Sequence, residues 1–370
     1  MTNILIIIGL MGWVALLISI YLYVKIKKEK NESKPISTRS INDPKVVVIG
    51  GGTGQSIFLR GLKHFTHNIT AVVTVADDGG GSGVLREDLG MLPPGDIRNC
   101  LLALANIEPT MSEVMKYRFT EGALKGQSFG NLFLAAMNGL YGSFETAVYK
   151  MGEVFAITGR VLPVSLEDIN LVAKLKNGKM VKGESSIPDQ VKSQHSPIDR
   201  IYLDPKNAKP LDEVLNSILD ADIIIMGPGS LYTSIMPNLL VKGVVEAIKK
   251  SNAPKVYISN VMTQPGETDQ YNVLDHINAI IKHTGKKDII DYIIANNEML
   301  PEEIFSPYKK DGAEQVLLDE EQRNKLDDMG IKTIEDNLVE IKNNYIRHDA
   351  KHISSIIVNL ALSHNYDKSK

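Results

Sequence analysis

Five short apolar runs constrain this chain more than any other feature: VVVI at 46–49, ITAVVTV at 69–75, DIIIM at 222–226, KVYIS at 255–259 and DYIIA at 291–295. Each is short, rich in Val and Ile, and continuous rather than alternating, which predicts strands buried on both faces, as in a parallel sheet. Amphipathic stretches separate them. Leu211, Val214, Leu215, Ile218 and Leu219 share one helical face, and similar faces recur at 241–249 and 271–283. This alternation predicts an α/β fold with a Rossmann-like, doubly wound, mostly parallel sheet. Residues 99–155 read as mostly helical, and 170–203 contain a hairpin around Asn177-Gly178, a dipeptide suited to a tight turn. Both segments read as insertions. Residues 351–363 form a closing helix with Ile353, Ile356, Ile357 and Leu360 inward, whereas 300–345 give no regular pattern.

The chain has 43% hydrophobic and 23% charged residues, enough to bury a large core. Its 41 Lys and Arg against 44 Asp and Glu leave a net charge of −3, which offers no cationic surplus for a nucleic-acid backbone. A single cysteine, Cys100, excludes an internal disulfide framework and a Cys-rich zinc site, and fits a reducing compartment. Cys100 lies in an apolar run and reads as core rather than nucleophile. His348 and His352 have helical i, i+4 spacing but no third ligand, so no metal site is expected there.

The first residues belong to a different class. Residues 4–24 are 21 in number and contain no charge and no proline; at ~1.5 Å per residue they reach roughly 31 Å, the thickness of a bilayer's hydrocarbon core. Tyr21 and Tyr23 fall near the expected interface. Lys25, Lys27, Lys28 and Lys30 follow directly while no basic residue precedes, so the positive-inside bias puts the following domain in the cytoplasm. A cleaved signal peptide fits less well, because a basic leading segment and an A-x-A site are both missing. The expected organisation is a transmembrane anchor at 4–24, a polar tether at 25–43 and one α/β domain at 44–370, that is, a cytoplasmic domain held to the cell membrane by one span.

Residues Gly50-Gly51-Gly52-Thr53-Gly54 follow the first strand directly and precede a helical pattern from Ser56 to Lys63. A glycine-rich strand-to-helix turn lets backbone N–H groups approach phosphate oxygens, and the helix dipole adds to the attraction. The turn departs from G-x-G-x-x-G, and no G-x-x-x-x-G-K-[ST] occurs, which disfavours a P-loop ATPase. The second strand ends in Asp77-Asp78-Gly79-Gly80-Gly81-Ser82-Gly83, placing two carboxylates at the carboxyl end of a sheet strand, where open α/β sheets bind ligands. They can accept from sugar hydroxyls, hold Mg²⁺ through oxygen, or simply close an Asx-turn and cap a helix. In Pro93-Pro94-Gly95-Asp96-Ile97-Arg98-Asn99, a stiff loop before a helix near Cys100, Asp96 can cap and Arg98 can reach phosphate. Gly227-Pro228-Gly229-Ser230 makes a second glycine-rich turn after 222–226, and Asn238 beyond it can either read a uracil-like edge or cap a helix. Gln264-Pro265-Gly266-Glu267-Thr268 is a third loop on the same rim.

Taken in order, VVVIGGGTG (46–54), TVADDGGGSGVLRED (74–88), LPPGDIRNCLLALA (92–105), FGNLFLAAM (129–137), GPGSLYTSIMPNLL (227–240), MTQPGETD (262–269) and RHD (347–349) resemble the motifs of the gluconeogenesis-factor (YvcK-like) family of the CofD superfamily. The likeness covers about 45 to 365. It implies a Rossmann-like fold shared with 2-phospho-lactate transferases, UDP-sugar binding (UDP-N-acetylglucosamine or UDP-glucose), a need for the protein in cell shape on gluconeogenic carbon, and no demonstrated catalysis in most of the branch. By the same resemblance the turns at Gly50–Gly54 and at Gly227, Gly229 and Ser230 cradle the diphosphate. Asp77 or Asp78, together with Asn238, contacts nucleoside or sugar and Arg347 pairs with phosphate; Ser82, Asp96, Arg98 and Asn131 are the further candidate ligand-binding residues. Cell-wall proteins and a homo-oligomer are the expected partners. The alternative is a transferase of the 2-phospho-L-lactate type that uses a nucleotide-diphosphate donor, with Mg²⁺ on Asp77 and Asp78. Gly81 departs from the family's usual serine, and many members lack an anchor.

Overall fold

The computed structural model describes residues 43–342 and 345–368. The expected span at 4–24 lies outside them, as does nearly all of the tether. Among the described residues no helix is long and apolar enough to cross a membrane.

The strands are β1 Val46–Gly50, β2 Ile69–Val73, β3 Arg160–Pro163, β4 Asn170–Leu175, β5 Met180–Lys182, β6 Ile198–Asp204, β7 Ile223–Met226, β8 Lys255–Ile258, β9 Tyr292–Asn296, β10 Lys332–Asp336, β11 Val339–Lys342 and β12 Tyr345–His348. Seven of them form one sheet in the order β10-β9-β8-β7-β1-β2-β3, and every neighbouring pair is parallel. All five apolar runs are strands of this sheet. The sequence pattern passes over β3 and β10 because they are its two outer strands. Their sequences RVLP and KTIED carry charges that an edge tolerates and a centre does not.

Numbered within this sheet alone, the strands run 3-2-1-4-5-6 with a seventh added, the doubly wound dinucleotide-fold order. The chain leaves β1 toward β2 and β3, then returns to β7 on the other side. The order therefore reverses between β1 and β7, and the connections after those two strands diverge to opposite faces, which opens a crevice at their carboxyl ends. Helix α1, Gly52–Leu62, starts two residues after β1 and seats Phe58, Leu59 and Leu62 fully in the core. Helices α2 (Gly80–Leu89) and α3 (Gly95–Leu104) follow β2. Helix α3 begins five residues earlier than Cys100 suggests, because Pro94 and Gly95 belong to its N-terminal entry rather than to a separate loop.

The closing helix runs Ala350–Lys368, with Ile353 and Ile357 fully buried. It begins against α1, where a Cβ on Gly61 would stand 2.5 Å from the Ala350 backbone. The 170–203 insertion is a separate three-stranded sheet, β5-β4-β6, whose β4–β5 hairpin turns at Asn177-Gly178 with Gly178 at φ 89°. The irregular stretch after 300 holds β10, two helices and the β11–β12 hairpin. That hairpin carries Arg347 over the crevice and rests on a small apolar cluster of Val261, Leu300 and Ile346.

Candidate functional site

The crevice is built from backbone first. After β1 the chain passes through Gly51 in extended conformation and Gly52 at φ 66°, the left-handed region where glycine is unstrained. Gly51 has no room for a side chain: a Cβ would meet Thr74 Cγ2 at 2.6 Å and Asp96 Oδ2 at 2.9 Å. Gly54 is equally confined, with the carbonyl oxygen of Pro228 2.7 Å from its would-be Cβ. The two glycine-rich turns are therefore in backbone contact, and glycine is what allows it. Beneath them the buried Gln55 donates to Val48 O (3.0 Å) and Val72 O (3.1 Å), fastening the start of α1 to the sheet.

The second turn leads from β7 into a π-helical turn, Leu231–Ile235, and a short helix, Met236–Leu239. Asn238 sits here, fully buried, and its role differs from the expected ligand contact. Its Nδ2 donates to Gly50 O at 2.8 Å and to Ser234 O at 2.7 Å, so the side chain clamps the first turn to the second. Asn238 has no exposed surface, both of its amide hydrogens are committed, and its buried Oδ1 has no hydrogen-bond partner.

Between the turns lies a cleft of about 340 Å³ lined by Gly51 to Gly54, Pro228 to Ser230, Ser234, Asn260 to Met262, Gln264 and Ile346 to His348. Of the expected binding residues it gathers Gly51, Gly52, Thr53, Gly54, Gly229, Ser230 and Arg347. Gly50 ends β1 and Gly227 directly follows β7, and neither lines the cleft. Arg347 is exposed and lines the cleft, its guanidinium 5.3 Å from the Tyr345 ring centre. Gln264 Nε2 donates to Ser230 Oγ at 2.6 Å, tying the third rim loop to the second turn.

The carboxylates collect on the other side of Gly51 and Gly52. Asp77 Oδ1 accepts from Gly79 N at 2.9 Å, an Asx-turn, and Asp78 Oδ1 accepts from Ser185 N at 2.8 Å, which joins the insertion to the main sheet. Among the described residues no group of three or more His, Cys, Asp or Glu is arranged to hold a metal ion. Asp96 does not cap its own helix; its Oδ2 accepts from Gly52 N at 2.7 Å. Burial, reinforced by the Asp77 charge, pushes the Asp96 carboxyl up to about 7 against the pull of Gly52 N–H and Arg98. Ser82 Oγ accepts from Gly95 N at 3.1 Å, so it locks α2 to α3.

Arg98 and Asn131 lie away from the cleft. Arg98 is buried and donates to Ser128 Oγ (2.9 Å) and Asn99 Oδ1 (2.8 Å), and Asn131 N–H donates to Ser128 Oγ at 3.3 Å. Arg98 therefore fixes how α3 meets the helix Phe129–Tyr141, in place of the phosphate contact expected of it, whereas the Asn131 bond is the N-cap of that helix. Two carboxylates join the acidic side that composition and motif spacing did not single out as ligands. Glu267, buried and accepting from Thr233 Oγ1 at 3.2 Å, is raised to about 7 by burial. Glu184 is raised to about 8 by burial and by the charges of Asp77, Glu267, Asp96 and Asp78. Glu267 stands in the MTQPGETD motif; Glu184 sits in an insertion loop and only the fold brings it in. Cys100 is fully buried with its thiol raised by burial, a core residue. His348 Nε2 meets Ser259 O at 3.0 Å and His352 Nε2 meets Asp336 Oδ2 at 2.8 Å, two unrelated environments.

A family model described as 2-phospho-L-lactate transferase CofD matches residues 46–339, the whole run from β1 to the start of β11. The chain belongs to the CofD family. Within the CofD family its similarity is to gluconeogenesis factors: that of Bacillus subtilis (strain 168) is 47% identical over 318 residues, covering 86% of this chain and 98% of its own. A relative from Thermoanaerobacterium thermosulfurigenes is 60% identical over 320 residues, covering 86% of this chain and 98% of its own. The crystal structure of a Bacillus halodurans protein superposes with a TM-score of 0.81 at 47% identity, covering 85% of this chain and 99% of that one.

Proposed function

We propose that this CofD-family chain is a UDP-sugar-binding regulator, a gluconeogenesis factor that couples the level of activated sugar to cell shape during growth on gluconeogenic carbon. The observation that carries the reading is the meeting of the two glycine-rich turns at the β1/β7 switch point with Arg347 above them. Backbone N–H groups at the N-terminus of α1 and an exposed guanidinium are what a diphosphate requires. The acceptor-rich carboxylates on the far side of Gly51 and Gly52 suit a moiety that presents hydroxyl donors, as a sugar does, and repel a second phosphate. A ligand with an anionic middle and a polyhydroxyl end fits both halves.

The names of the relatives supply the gluconeogenic context, and the apolar run at 4–24 supplies a membrane anchor on this reading. Isothermal calorimetry with UDP-N-acetylglucosamine and UDP-glucose tests the ligand. A folded chain that binds neither refutes it. Removal of residues 1–43 should release the chain from membranes in cell fractionation; continued sedimentation with the membrane refutes the anchor.

A second reading is favoured by the matched family's description and by the buried carboxylates: transfer of a phospho-organic group from a nucleotide-diphosphate donor. It requires turnover of such a donor that disappears in Asp77→Ala. Stable binding of UDP-sugar without consumption would decide for the regulator.

A further inference from the structure

Strand β3 ends the large sheet, two strands beyond β1, and none of its residues lines the cleft. Its inner edge belongs to β2: Val164 N–H donates to Val73 O at 2.9 Å, and in a parallel ladder every second residue bonds the same neighbour. Arg160 and Leu162 therefore bond β2, while the N–H and C=O of Val161 and the C=O of Pro163 point outward. Among the described residues no hydrogen-bond partner meets those three groups. Val161 is nonetheless only 5% exposed, so this unpaired edge lies at the bottom of a recess.

The recess is a groove of about 520 Å³, larger than the cleft, that follows Gly159 to Pro163 between the helix Phe144–Val154 and the helix Asp212–Leu219. Arg160 Nη2 donates to Ser217 Oγ at 2.9 Å on the second helix, so Arg160 and Leu162 point to that side and Val161 and Pro163 to the other. A strand laid against the edge would alternate in the same way. Toward the first helix its side chains would meet Val148, Tyr149 and Ile157; toward the second they would meet Glu213. The charges of the lining are one-sided, with Glu145, Glu153 and Glu213 against Arg160 alone, and Arg160 is already held by Ser217 and by Thr70 Oγ1 at 3.0 Å. Glu153 is paired with Lys150 at 2.8 Å, which leaves Glu145 and Glu213 to receive a cation.

We propose that the outer edge of β3 is a docking site for an extended segment of a partner protein in which apolar and basic residues alternate. Main-chain bonds to Val161 N–H and O and to Pro163 O hold the segment, with its apolar side chains against Tyr149 and Ile157 and its Lys or Arg beside Glu213. Pro163 has no N–H to give, so the added strand is short. A second copy of this chain does not suit the groove, because pairing edge to edge would set the glutamates of one groove against those of the other. The same carboxylates keep unselected strands off the edge while it is empty.

Fluorescence anisotropy of the full chain with a labelled, end-blocked peptide of alternating Lys and Val, about seven residues long so that it spans β3, tests the site. Amide hydrogen exchange of residues 159–163 is read beside it. The expected result is saturable binding that weakens with salt and slows exchange at Val161 roughly tenfold. Glu145→Gln combined with Glu213→Gln should weaken the peptide roughly tenfold, and a peptide with Glu in place of Lys should not bind. Failure of the Lys and Val peptide to bind overturns the site. Binding that leaves exchange at 159–163 unchanged overturns the strand addition, and this readout on the wild type holds even if the double variant fails to fold. Equal binding of the Glu peptide overturns the charge selection. Protection of 159–163 that grows with protein concentration before any peptide is added gives the edge to a second copy and overturns the proposal.

Discussion

Asn238→Ala separates two roles that the sequence leaves open, a ligand contact and a clamp. The structure commits both amide hydrogens, to Gly50 O at 2.8 Å and Ser234 O at 2.7 Å, across 188 residues of chain in the first case. Each buried neutral bond contributes about 1 kcal/mol net, and the vacated amide leaves a small cavity that costs about 1 kcal/mol more. Gly50 O keeps the Thr74 N–H at 3.0 Å, and the buried Oδ1 of Asn238 has no partner to lose, so neither adds a large penalty. The expected loss is about 2–3 kcal/mol, a melting temperature lower by about 3–4 °C for a domain of this size. Asn238→Asp should be worse at neutral pH, because a carboxylate would face two carbonyl oxygens. That variant should recover partly as pH falls, since a protonated carboxyl regains one donor. Circular dichroism melting read beside calorimetry well below the transition is the assay. If Asn238→Ala melts within about 1 °C of the wild type while its UDP-sugar affinity collapses, the residue reads ligand and the clamp is wrong.

Arg347→Ala should weaken UDP-sugar binding by about 10–100-fold, the worth of a charge-assisted contact, with an unchanged melting temperature because Arg347 is exposed and stacks only on Tyr345; Arg347→Lys should restore only part of it in the same titration. Glu267 holds a proton in the folded chain, where its carboxyl is raised to about 7, that the unfolded chain gives up near 4.5. Stability therefore falls as pH rises between those values and is flat above, and Glu267→Gln should remove a loss of up to about 3 kcal/mol, seen as a flatter melting-temperature profile from pH 5 to pH 8. Gly54→Ala drives a methyl against the Pro228 carbonyl at 2.7 Å with backbone on both sides, so it should lower the melting temperature and abolish binding together. Cys100 should resist a thiol reagent in the native protein and react at the rate of unfolding, measured by absorbance.

The central sheet was legible because its inner strands are buried on both faces, so 46–49, 69–75, 222–226, 255–259 and 291–295 could be nothing but apolar. The outer strands β3 and β10 were not, since an edge accepts Arg160, Lys332 and Glu335 without cost. The glycine turns were legible for a related reason: backbone in contact with backbone demands Gly51 and Gly54, and no other residue would serve. Side chains near those turns were harder to read. Asn238 stands in the same motif as Gly229 and Ser230, and Arg98 and Asn131 stand in motifs of their own, yet all three are buried, because a motif can hold the scaffold under a site as well as the site. Glu184 reaches the acidic side from an antiparallel insertion after β5, a position that no local pattern could foretell.

The division of the site into a phosphate half and a carboxylate half has a cause in the strand order. At the switch point, the turn after β1 faces the turn after β7 on one side and the loop after β2 on the other. The β7 side contributes Gly229, Ser230 and, through the late hairpin, Arg347; the β2 side contributes Asp77 and Asp78, with Asp96 two residues into α3 behind them. Gly51 and Gly52 are the shared wall, touched by Ser234 from one side and by Asp96 from the other. A ligand laid across that wall would change character at it, from acceptor to donor, and a hydrogen bond through the wall runs from Gly52 N–H to Asp96 Oδ2. The backbone of the phosphate side and an acceptor of the carboxylate side are thereby joined through a single peptide group.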